Sequence, residues 1–191
     1  MSIKITTLVE NSVYGKGLQG EHGLSLLVDT GEHRLLFDTG ASDLFIRNAR
    51  ILGIDLKEVD FLVLSHGHRD HTGGLHHFLA VNDKAQVVCK RELFQPKFKD
   101  ERENGVMQPD ALDSTRFRFV DEVTELCRSV FVFPQLPVTD EEDTHFEHFF
   151  TWAEGRKQAD TFTDELALVL KQGAEVSVLS ACSHRGITNI I

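Results

Sequence analysis

Leu64-Ser65-His66-Gly67-His68-Arg69-Asp70-His71-Thr72-Gly73-Gly74 is the stretch that decides how this 191-residue chain is read. Four groups able to ligate a metal, His66, His68, Asp70 and His71, fall within six residues. On an extended turn, residues two apart can point to the same side, so His66 and His68 can share one ion through imidazole nitrogens. Asp70 and His71 continue the turn and can reach a second ion about 3.5–4 Å away. The glycines let the backbone fold tightly against such ions. The competing reading is a polar loop that happens to be rich in histidine, and the ligand spacing favours metal over it. Placement agrees, because residues 61–64 form a continuous apolar strand and open α/β sheets carry their sites at the carboxyl ends of strands. His76 and His77 lie past the turn, among Leu75, Phe78 and Leu79 at helical spacing, and read as ordinary helix residues.

Upstream, residues 3–9 alternate in hydropathy, and residues 24–28 and 34–37 are short strands joined by the turn Asp29-Thr30-Gly31-Glu32. Leu44, Phe45, Ala49 and Leu52 then recur at helical spacing, with Ser42 or Asp43 as cap and Gly53 as stop. Downstream, residues 86–89 form another strand, and 94–115 are polar and irregular, a loop or insertion. Residues 117–120 and 130–133 read as strands around a short helical stretch. Residues 166–170 and 176–179 pair as a hairpin across Gln172-Gly173-Ala174-Glu175. Strands that alternate with helices and also form hairpins imply a mixed α/β sandwich, and the length suits one domain over residues 1–191.

Composition narrows the function. Lys+Arg total 20 against Asp+Glu 30, a formal net charge of −10, where proteins that grip nucleic-acid phosphates carry a basic excess. Nine carboxylates fall between Pro134 and Glu165 (Asp140, Glu141, Glu142, Asp143, Glu147, Glu154, Asp160, Asp164 and Glu165) against Arg156 and Lys157, and the run reads as a solvated loop. No apolar run approaches the roughly 18 residues needed to cross a bilayer, and the N-terminus reads as a strand and not a signal peptide. Cys89, Cys127 and Cys182 are odd in number and widely spaced, which implies no disulfide framework and a reducing cytoplasm. The expected partner is a small molecule, with neither nucleic acid nor membrane.

The pattern His66-x-His68-x-Asp70-His71 resembles the signature of the metallo-β-lactamase-fold hydrolases. Leu36-Phe37-Asp38-Thr39-Gly40 is similar to their early strand, whose aspartate supports the metal loop, and Cys182-Ser183-His184-Arg185-Gly186 to a later loop that supplies a histidine. Glu21-His22-Gly23-Leu24-Ser25 and Asp164-Glu165-Leu166-Ala167-Leu168 sharpen the resemblance. It is to the subgroup called metal-dependent hydrolases of β-lactamase superfamily II, or dihydropterin-ribofuranosyl-aminobenzene-phosphate synthase-like proteins.

That resemblance implies an αββα sandwich of metallo-β-lactamase type holding one or two zinc ions, with manganese or iron as alternatives. It implies His66, His68, Asp70, His71 and His184 as ligands, with Asp70 also orienting the attacking water. Asp38 is then the orienter of the metal turn, against a plain role as helix cap. His22 stands between substrate contact at the site mouth and structure. Cys182 stands between ligation and a small buried cysteine. The implied reaction is hydrolysis, or a related addition or transfer, at an ester, phosphoester or lactone-like centre, with a phosphorylated pterin as one substrate class. The alternatives are a metal-binding protein without turnover and a nuclease of the same fold. Family members usually continue further and supply another histidine from a Gly-Gly-x-His-like segment. The expectation here is therefore a second half that lacks its C-terminal portion, with a homodimer covering residues 166–170, 176–179 and 187–191.

Overall fold

The computed structural model describes residues 2–106, 114–153 and 155–191. In chain order its strands are β1 (Lys4–Val9), β2 (Ser25–Asp29), β3 (Arg34–Phe37), β4 (Phe61–Val63), β5 (Gln86–Cys89), β6 (Lys97–Lys99) and β7 (Arg102–Glu103). They continue with β8 (Phe117–Phe119), β9 (Thr124–Cys127), β10 (Val130–Phe133), β11 (Phe149–Ala153), β12 (Arg156–Ala159), β13 (Ala167–Gln172) and β14 (Glu175–Leu179). The helices are α1 (Leu44–Ile51), α2 (Arg69–Thr72), α3 (Leu75–Val81) and α4 (Ile187–Ile190). The chain divides into two compact units, one of Met1–Leu64, Arg69–Val88 and Met107–Arg118, the other of Ser65–His68, Cys89–Val106 and Phe119–Ile191.

The first unit is built on a sheet in the order β1-β2-β3-β4-β5-β8. β1, β2 and β3 are antiparallel, while β3, β4 and β5 run parallel, with Leu36 opposite Leu62 and Leu62 opposite Val87. Leu35, Leu36, Phe37, Leu62, Val63, Val87 and Val88 are all buried, as parallel strands covered on both faces require. Each such side chain removed from water contributes roughly 1.5–3 kcal/mol. Helix α1 buries Leu44, Phe45, Ile46 and Ala49. Of its two expected caps Asp43 occupies the N-cap position without a side-chain cap bond, and Ser42 just before it accepts the Leu44 N–H on Oγ at 3.1 Å.

The second unit holds two antiparallel sheets, β14-β13-β10-β9 and β12-β11-β6-β7. Three expectations are corrected here. The helical stretch expected between residues 120 and 130 is β9, which pairs with β10 around Ser129 at φ +68°. Residues 94–115 are not simply a loop, since β6 and β7 form within them; residues 107–113 of that span lie outside the described residues. The acidic run contains the β11–β12 hairpin and buries Asp160, Asp164 and Glu165, while Glu154 lies outside the described residues. Charge density disguised Phe149-Phe150-Thr151-Trp152, whose aromatic and β-branched side chains favour a pleated strand.

Of the apolar face expected to need a second copy, Leu166, Ala167, Leu168 and Leu170 are already buried within the chain, the last three in β13, which pairs with β10 and β14. Val176, Ile187 and Ile191 are exposed. Among the described residues no helix is long and apolar enough to cross a membrane.

Candidate metal centre

In the second unit, the turn Ser65–His68 brings two histidines toward a third from the loop after β14. His66, His68 and His184 are buried, and a ring nitrogen of each lies within 4.8 Å of those of the other two. The His184 Nδ1–H donates to the His145 carbonyl at 3.1 Å, which leaves Nε2 as the lone-pair nitrogen. His66 Nδ1 is 2.8 Å from Ser65 Oγ. Phe162 stacks on the His184 ring at 3.8 Å and meets His68 edge-on at 5.1 Å, and Phe149 lies 4.8 Å from His68 and 4.9 Å from His184. Protonating three facing imidazoles inside this apolar wall would crowd like charges where water cannot screen them. Neutral nitrogens at this spacing instead suit a transition-metal ion with a position left open. The donor set thus fits a metal.

Carboxylates accept backbone N–H groups in the segments that carry these histidines. Gly67, between two of them, donates its N–H to Asp164 Oδ2 at 2.7 Å; a Cβ at that position would collide with the Leu93 carbonyl. Ser65 accepts the Leu166 N–H at 2.9 Å. Glu165 accepts the His184 N–H at 2.9 Å on one oxygen and the Arg185 N–H at 2.8 Å on the other. Burial pushes the Glu165 carboxyl up to about 7 against the lowering effect of those two N–H groups. Lys97 is 1% exposed and bonds Asp164 at 2.6 Å and Asp160 at 2.8 Å. Burial alone would lower its pKa, but the two facing carboxylates outweigh it and hold the ammonium above its ordinary value.

In the first unit, the chain leaves β3 through Asp38, a non-glycine residue at φ +60°, whose N–H donates to Val63 at 2.9 Å. Strained backbone of this kind costs of order 1–3 kcal/mol and persists where the surroundings over-determine it. Here it aims Asp38 Oδ2 at His71 Nδ1, 2.7 Å away, with both side chains buried. Thr39 fixes the same turn, its N–H and Oγ1 donating to the His71 carbonyl at 2.8 and 3.0 Å. Asp70 Oδ2 lies 3.4 Å from both His71 Nε2 and His22 Nε2. The His22 ring is mostly exposed, with Nδ1 2.7 Å from Asn11 Oδ1. Gly23, next to it, has no room for a Cβ against the Asp70 carbonyl.

A sequence profile of the metallo-beta-lactamase superfamily matches residues 18–163, a span that includes the whole histidine turn. The chain belongs to that superfamily. Its fold agrees: Tm1679, a metal-dependent hydrolase of the beta-lactamase superfamily, is similar at a TM-score of 0.82 and 33% identity, over 98% of this chain and 69% of that one. The 7,8-dihydropterin-6-methyl-4-(beta-D-ribofuranosyl)-aminobenzene-5'-phosphate synthase of Methanocaldococcus jannaschii is 28% identical, over 100% of this chain and 71% of that protein. An uncharacterized protein of the same organism is also 28% identical, over 98% of this chain and 72% of that protein.

Within this metallo-β-lactamase fold, the predicted residues fall into two sets, one in each unit: His66, His68 and His184 in one, Asp38, Asp70, His71 and His22 in the other. Cys182 is exposed on the His184 loop, not the small buried cysteine the sequence also allowed, whereas Cys89 is buried and its thiol pushed up to about 12. His76 and His77 sit in α3, their rings 4.0 Å apart. Sequence reasoning missed Lys97, Phe149 and Phe162, and took Asp160, Asp164 and Glu165 for solvated charge. The available signal was position, since Asp164 and Glu165 directly precede the apolar strand Leu166-Ala167-Leu168-Val169-Leu170. Glu165 and Arg185 also line an open cavity of about 630 Å³ with Lys90, Phe133, Leu136 and Thr163, and none of the candidate ligands lines it.

Proposed function

We propose that this chain is a metal-dependent hydrolase of small-molecule esters or phosphoesters, with zinc held by His66, His68 and His184. The supporting observation is the convergence of three buried imidazoles whose ring nitrogens approach within 4.8 Å. Imidazole donors suit zinc, with iron or manganese favoured as carboxylate ligands are added. When bound, such an ion lowers the pKa of a coordinated water from 15.7 to about 7 and polarises the scissile oxygen.

The protein supplies the rest. Phe149 and Phe162 keep bulk water away from His68 and His184. The Asp38 carboxylate accepts the His71 Nδ1–H and so presents His71 Nε2 as a base or ligand. By the family resemblance Asp70 and His71 would be ligands of a second ion, with Asp70 also placed to orient an attacking water. His22 in the first unit and Cys182 in the second are each proposed as substrate-contacting residues. An addition or transfer reaction is the second reading, favoured by the relative named as a synthase, and a phosphorylated pterin is then the substrate class. A cytoplasmic protein is part of the proposal. So is a homodimer using the exposed Val176, Ile187 and Ile191, which sedimentation at micromolar concentration tests.

The test is metal analysis of the purified chain with a broad esterase and phosphodiesterase screen. Near-stoichiometric transition metal and chelator-sensitive turnover are expected. His184→Ala should lose most of the metal and more than about 100-fold in activity, beyond the 10–100-fold typical of outer partners. His76→Ala should change neither. Metal-independent turnover, or unchanged metal content in His184→Ala, overturns the reading. Bound metal without turnover on any substrate favours the non-catalytic alternative.

A further inference from the structure

The adjacent carboxylates of Asp164 and Glu165 diverge, and each reaches backbone next to a candidate ligand. Asp164 Oδ2 takes the Gly67 N–H at 2.7 Å, between His66 and His68. Glu165 takes the His184 N–H at 2.9 Å and uses its second oxygen on Arg185. One peptide unit therefore sets the separation between the two segments that carry the three histidines. Both carboxylates are buried, at 0% and 1% exposure, so neither can relax into solvent.

A second tier fixes this pair. Lys97 Nζ bonds Asp164 Oδ1 at 2.6 Å and Asp160 Oδ2 at 2.8 Å, and the other Asp160 oxygen accepts the Phe162 N–H at 2.8 Å. Phe162, at φ +51°, is thereby held against the His184 ring with the planes 11° apart. The ammonium of Lys97 also lies 5.3 Å from the centre of the Phe162 ring. A buried lysine is expensive unless paired and hydrogen-bonded. This one spans both carboxylates that reach the histidine cluster through Gly67 and Phe162.

We infer that Asp164 and Glu165 are positioning residues for the three-histidine centre, and that Lys97 and Asp160 are their anchor. The inference rests on the metal reading above. Their contribution is geometric: they set the spread and tilt of the His66, His68 and His184 rings before any ion arrives. Outer-shell groups that orient ligands typically contribute 10–100-fold in metal affinity. The backbone route matters here, because these carboxylates steer the ligand loops through N–H groups and not through the imidazoles themselves.

The experiment measures zinc affinity by chelator competition, and the visible absorption of the cobalt(II)-loaded full chain, in Asp164→Asn, Glu165→Gln and Lys97→Met. Val132→Ala, which truncates a buried side chain of β10, is the matched control for lost stability. The expected result is zinc affinity about 10-fold or more below the unaltered chain in the two carboxylate variants, with displaced cobalt bands. The control should keep both affinity and spectrum. The near-isosteric amides are chosen so that folding is retained, and circular dichroism checks it. If a variant does not fold, Asp160→Asn, one bond further out, takes its place, with a smaller drop and a displaced spectrum expected. Tight binding by the unaltered chain with unchanged affinity and spectrum in the variants overturns the positioning role alone. Failure of the unaltered chain to bind zinc or cobalt overturns the metal centre itself, and this inference with it.

Discussion

The two halves of the histidine-rich turn are held by different means. Arg69–Thr72, in the first unit, is gripped mainly by backbone: Leu24 donates to the Asp70 carbonyl, Thr39 donates twice to that of His71, and Gly23 leaves space for the close approach. Ser65–His68, in the second unit, is gripped by charge, through the Gly67 N–H on Asp164 and the buried Lys97 behind it. The backbone grip comes from residues 23, 24 and 39, upstream of the turn, with a glycine that shows in the sequence. The charged grip comes from residues 97, 160 and 164, far along the chain. Backbone packing tolerates side-chain change at its edges, whereas a buried charge network loses balance when one member goes.

The sharpest way to break that comparison is Lys97→Met. It leaves Asp160 and Asp164 facing each other in the interior, and breaking a buried ion pair from one side costs about 3–5 kcal/mol. Denaturant unfolding should show that loss at neutral pH, with partial recovery in acid as the carboxylates protonate. A loss below about 1 kcal/mol would mean the network is not the second unit's anchor.

Asp38→Asn probes the buried charged contact between Asp38 and His71 in the first unit. The amide can keep the contact with His71 but no longer stabilises the Nδ1–H form as a carboxylate does. Catalytic efficiency should fall about 10–100-fold with little change in thermal midpoint. A drop as large as that of His184→Ala would place Asp38 among the ligands instead.

The smallest effect concerns Asp60, a half-buried carboxylate of the first unit remote from the turn. Burial alone would raise its pKa, but hydrogen bonds from Lys84, the Arg34 N–H and His33 outweigh burial and hold it below its ordinary value. A depressed carboxylate stabilises the fold above its unfolded pKa, and that contribution fades as the pH falls through the folded one. Asp60→Asn should therefore cost under about 1 kcal/mol at pH 7 and nothing near pH 2. Thermal midpoints of both proteins across that range measure it, and a cost that persists in strong acid would assign the effect to packing.

How much of this could be read from the sequence differs along the chain. Period and punctuation located β2, β3 and β5, the β13–β14 hairpin and α1 with its start near Ser42 or Asp43 and its Gly53 stop, because these are local properties of neighbouring residues. They did not locate β6, β7, β9 or the β11–β12 hairpin. Those strands are short or highly charged, and pairing with β10 and with one another decides their conformation.

The sequence by itself determined the histidine turn and its place after a buried strand, since ligand spacing and glycine placement are written in order along the chain. Only the tertiary structure decided which distant groups meet. It brought His184 to His66 and His68, turned Asp38 toward His71 through a left-handed backbone step, and converted Asp160, Asp164 and Glu165 from apparent surface charge into buried braces. The physical reason is that a carboxylate's role depends on its solvent and its partner. Lys97, some sixty residues away in the chain, supplies for Asp160 and Asp164 what composition could not reveal.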